Sequence, residues 1–71
     1  MSTPIMPVER KAADDVRELI QSVSGLLGVV YVEVGRFRDG DRSAAERASD
    51  AFDAAMSSLE SVRDLMRRLT S

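Results

Sequence analysis

The sequence predicts an all-α protein: an antiparallel two-helix hairpin that dimerises into a four-helix bundle. Three observations lead there. Apolar residues recur at steps of three and four through two long segments. A break rich in turn residues, Arg38-Asp39-Gly40-Asp41-Arg42, separates them. The two segments are of nearly equal length, so a short connection folds one back along the other.

The elements follow in order. Residues 1–6 contain Ser, Thr and Pro without periodicity and are expected to form a flexible tail. Pro7 suits the first turn of a helix, where its missing N–H has no partner to lose. From there to Arg38 the positions Val16, Leu19, Ile20, Val23, Leu26, Leu27, Val30, Val34 and Phe37 keep a helical period, so the first helix is expected over 7–38. Residues 39–42 form the turn, with Gly40 suited to the left-handed position after a helix. Ser43-Ala44-Ala45-Glu46 has the S-x-x-E spacing of a capping box, which starts a second helix over 43–70. In that helix Ala45, Ala48, Phe52, Ala55, Leu59, Val62, Met66 and Leu69 form an apolar stripe, and this is the expected seam.

The first helix carries more apolar surface than a hairpin can cover. Residues 25–32 are apolar on every side. A seam through Val16, Val23, Val30 and Phe37 leaves Gly25, Gly28, Val32 and Gly35 on the back. Each helical glycine costs about 1 kcal/mol relative to alanine, so close approach of a second chain is the expected compensation. The interface predicted from this is Gly25, Gly28, Val29, Tyr31, Val32 and Gly35. The same stretch has a second reading, a β-strand over 29–34, because it is rich in β-branched residues. A lone strand also requires another chain to pair with.

Chemistry is narrowed by what is missing. The 71 residues include no Cys and no His, so disulfides, thiolate sites, imidazole ligands and the usual nucleophile–base pairs are unavailable. The carboxylates fall among arginines on the outer helix faces, the pattern of solvated charge. No catalytic residue, cofactor or metal ligand is therefore predicted, and the protein is read as a non-enzyme. A chain this small gains roughly 3–5 kcal/mol from one core, so without staples it is expected to associate.

The balance of 10 Lys+Arg against 12 Asp+Glu gives a net charge of −2, which offers no general attraction to nucleic acid or to anionic membrane. Residues 25–32 are far shorter than the roughly 20 apolar residues that span a bilayer, and no signal-peptide pattern opens the chain. A cytoplasmic protein with no membrane partner is expected. The leading expectation is a small protein–protein interaction module, an adaptor, regulator or inhibitor, acting as a homodimer. The alternative is nucleic-acid binding through Arg36, Arg38, Arg42 and Arg47 at the turn end, since arginine forks recognise phosphate. In outline, a two-helix dimer of this size resembles the Rop-type RNA-binding bundle, although no sequence motif carries that likeness.

Overall fold

The computed structural model describes residues 3–70. Two helices, α1 (Pro7–Arg38) and α2 (Ala44–Thr70), pack against each other as a hairpin 57 Å long and 16 Å in each other dimension. No strand occurs among the described residues, and 29–34 lie in the middle of α1. The expected 1–6 tail falls partly outside the described residues, as does residue 71. Of the tail, residues 3–6 precede the helix without regular structure.

Local chemistry explains both ends of α1. The Met6 N–H donates to Glu9 Oε1 at 3.0 Å, so a carboxylate in the first turn satisfies a donor that the helix leaves open. At the other end Asp41 N–H reaches back to the Arg36 carbonyl at 2.9 Å, and Gly40 N–H to that of Phe37 at 3.1 Å. Gly40 has φ +114°, a conformation that a side chain would strain. The start of α2 differs from the expected capping box. Ser43 gives both its N–H (3.1 Å) and its hydroxyl (2.7 Å) to Asp41 Oδ1. Asp41, two residues earlier, takes over the role expected of Glu46 because its short side chain folds onto its own turn.

The seam of α1 runs through Ala12, Val16, Leu19, Val23, Leu26, Val30 and Glu33, all buried or half-buried. Phe37, expected to close it, is exposed. The seam of α2 runs through Ala44, Ala48, Ala51, Ala55, Ser58, Val62, Leu65 and Leu69. This corrects the expected stripe: Ala48, Ala55, Val62 and Leu69 stay, but Ala44, Ala51, Ser58 and Leu65 replace Ala45, Phe52, Leu59 and Met66. The exchange turns α2 by about 50°. It places alanines between the helices near the turn, where small side chains let the backbones approach. It also swings Arg47 round to meet Glu33; in the expected phase Arg47 would point outward.

The resulting core is thin. Its buried apolar residues are two valines of α1 and four alanines of α2, and no large side chain is fully buried among the described residues. By length and composition α1 could also cross a membrane: an 18-residue window reaches a mean hydropathy of 1.2, with 11% of it buried.

Candidate functional site

A hairpin seam leaves two long flanks, and in this protein they differ. In α1 the residues four places after each seam valine, Ile20, Leu27 and Val34, lie on one flank, and Asp15, Ser22, Val29 and Arg36 lie on the other. In α2 the corresponding rows are Phe52, Leu59 and Met66, and Arg47, Ala54, Ser61 and Arg68. Antiparallel helices bring like rows to the same side. The structure shows which go together: a cleft of about 200 Å³ at the open end is lined by Val8, Asp15, Leu65 and Arg68, and Glu33 meets both Arg36 and Arg47 near the turn. The rows of Ile20 and Phe52 therefore share the opposite flank.

That flank is apolar. Ile20, Leu27, Val34, Phe52, Leu59 and Met66 are each between 41% and 52% exposed, and Tyr31 and Met56 extend the surface outward, Tyr31 at 84%. These eight residues are the majority of the exposed large apolar side chains among the described residues. Tyr31, Leu27, Val30, Val34, Gly35 and Arg38 surround a shallow depression on it. Its outer border is basic: Arg10, Arg17 and Arg38 on α1 and Arg63 on α2 occupy the row beyond the apolar one. None of these four makes an ion pair among the described residues. No Asp or Glu lies in either row of either helix.

The other flank is polar and internally paired. Glu33 is only 7% exposed, and burial of a carboxylate is tolerable because two guanidinium groups face it. Arg47 Nε donates to Glu33 Oε2, and Arg36 Nη1 stands 3.4 Å from Oε1. Arg47 also donates through Nη1 to the Ser43 hydroxyl at 2.9 Å and through Nη2 to Asp41 Oδ2 at 2.8 Å. One guanidinium thus ties α1, the turn and α2 together. The hydrogen bonds from Ser43 and from Arg47 hold the Asp41 carboxyl below its ordinary pKa of 3.8, and those to Glu33 and Asp41 raise that of Arg47. Farther along, Lys11 pairs with Asp15 at 3.4 Å.

The residues predicted from sequence as an interface are divided by the fold. Tyr31 lies on the border of the apolar flank and Gly35 beside the depression in it. Gly25 and Gly28 are exposed, and a Cβ at any of the three helical glycines would meet nothing within 4 Å. Val29 sits on the polar flank, and Val32 on the outer surface. Of the four turn-end arginines, Arg36 and Arg47 are engaged by Glu33, whereas Arg38 borders the apolar flank and Arg42 is exposed in the turn. Sequence reasoning missed the Glu33–Arg47 tie and the pairing of the two apolar rows. The signal for the second was present as a third apolar position per seven residues in each helix, a stripe wider than the a/d seam of a two-helix contact.

Comparison of the chain with family models, with curated proteins and with solved structures finds no match.

Proposed function

We propose that the protein is a non-enzymatic interaction module, an adaptor, regulator or inhibitor, which acts by docking its apolar flank on another helical surface. The observation that carries this is the gathering of eight exposed large apolar residues on one flank, a contiguous patch of the kind that marks interaction sites. The whole hairpin measures 57 by 16 Å, so a partner covering one full flank meets at most roughly 900 Å² in projection, about what one partner contributes to a standard interface. Two covers compete for it: a second copy, completing the homodimeric four-helix bundle expected from the sequence, or a helix of a different protein.

The test compares wild type with Leu27→Asp, which places a charge in the centre of the flank and leaves the hairpin seam intact. Light scattering over a concentration series reads self-association, and an apolar fluorescent dye reads an uncovered face. Wild type should show one or the other. Leu27→Asp should lose it while its helical circular dichroism is unchanged. A wild type that stays monomeric and binds no dye would overturn the reading.

A further inference from the structure

Resting on that reading, we infer that the apolar flank takes an acidic amphipathic helix of another protein in preference to a second copy of this chain. The argument is the charge segregation that the fold produces. A net charge of −2 over the chain conceals a face carrying four arginines and no carboxylate. Arg10, Arg17 and Arg38 lie along one edge and Arg63 along the other, all exposed and without ion pairs among the described residues. The nearest acids, Asp14 and Glu60, lie one row farther out from the groove, and the others are on the polar flank, the outer surfaces and the turn.

A two-fold dimer through this face can be built in two ways, and both set like charges together. With the turns at the same end, residues at equal height across the interface have numbers summing to about 80, by the rule that antiparallel neighbours pair at equal distances from the connection. Arg17 then faces the mate's arginine at position 63. With the turns at opposite ends and full overlap, α1 lies against the mate's α1 with paired numbers summing to about 45, which brings Arg10 and the mate's arginine at position 38 within about one helical turn of each other. In neither arrangement do the mate's two facing rows carry a carboxylate, and like charges across an interface select against a partner.

A helix laid along the groove between Leu27 and Phe52 meets the same border differently. Its apolar stripe covers the two apolar rows, and Glu or Asp on its two shoulders reaches the arginines on either side, the helix-in-groove mode of recognition. Arginine suits this position, because its stem adds apolar cover while its planar fork pairs with carboxylate.

The experiment titrates the full chain with two labelled 28-residue synthetic amphipathic helices that share a leucine stripe, one with Glu shoulders and one with Lys shoulders. Anisotropy is read at low and high salt, and light scattering and anionic phospholipid vesicles serve as parallel arms. The Glu peptide should bind at least about tenfold more tightly than the Lys peptide, as several border ion pairs together predict. The preference should shrink with salt, and the exposed double variant Arg17→Glu/Arg63→Glu, which brings the border from four positive charges to none net, should abolish it. Equal binding of both peptides, abolished by Leu27→Asp, would overturn the acidic selection while the docking face stands. A concentration-dependent dimer that excludes both peptides would make a second copy the occupant, and binding to vesicles alone would make it a lipid surface; either overturns the inference. Absence of binding in every arm, with no dye bound, would remove the inference and the interaction reading together.

Discussion

The two flanks of this hairpin are built on the same helices with the same period, yet one is closed and the other open. On the polar flank, charged groups find partners within the chain: Glu33 with Arg36 and Arg47, Asp41 with Arg47 and Ser43. On the apolar flank, Phe52, Leu59 and Met66 stand half exposed beside arginines that form no ion pair among the described residues. The difference separates the surface that ties the hairpin together from the one that the proposed docking would use. The closed flank fixes how the two helices are rotated against each other, and that rotation turns the large apolar residues of α2 away from α1 and onto the open surface.

The largest expected effect tests that division directly. Phe52→Asp should weaken binding of an acidic amphipathic helix by about 100-fold, the loss typical of a central interface residue, whereas Ser22→Asp on the other flank should leave it unchanged. Titration of the two variants side by side measures this, and equal losses would erase the distinction between the flanks.

Next in size is the tie at the turn. Arg47→Ala leaves the buried Glu33 carboxylate with Arg36 alone at 3.4 Å and should lower the midpoint of urea unfolding, since removing its partner strands a buried charge. The double variant Arg47→Ala/Glu33→Leu should recover most of that loss. A single variant as stable as wild type would mean that the polar flank does not hold the hairpin together.

A smaller effect separates the glycine row from the apolar flank. Gly28→Ala enters open space and should stabilise the hairpin by up to about 1 kcal/mol, the helix propensity gained, without altering association. Loss of association in this variant would move the interface to the back of α1, where Gly25 and Gly28 lie.

The smallest concerns acid. The Asp41 pKa is depressed below 3.8 by hydrogen bonds from Ser43 and Arg47, so its contribution to stability is present above that value and is lost as pH falls through the lower, folded-state value. Urea unfolding followed from pH 5 downward should show the decline, and Asp41→Asn should flatten that part of the profile. An unchanged profile would mean that the turn network adds nothing to stability.

The helices themselves were legible because their signals are local. Pro7, the three-and-four spacing of apolar residues, and Gly40 among aspartates each act within a turn or two of the chain. The interface was less legible. The stripe from Ala45 to Leu69 is apolar at every step, but the neighbouring row, Ala44, Ala51, Ser58 and Leu65, is nearly as good a seam, and periodicity alone cannot choose between rows that share half their members. Glu33 gave no sequence signal, since an acid within an apolar stretch looks the same whether it faces solvent or a guanidinium on the other helix.

What the sequence by itself determined is therefore the pair of helices, their boundaries to within a residue and the antiparallel turn between them. Only the tertiary structure decided which row of α2 faces α1, and with it which surface remains open. The reason is that helix rotation is set across the seam, by close-fitting alanines and by a guanidinium–carboxylate contact between residues 14 positions apart. Neither is visible in the period of either helix alone.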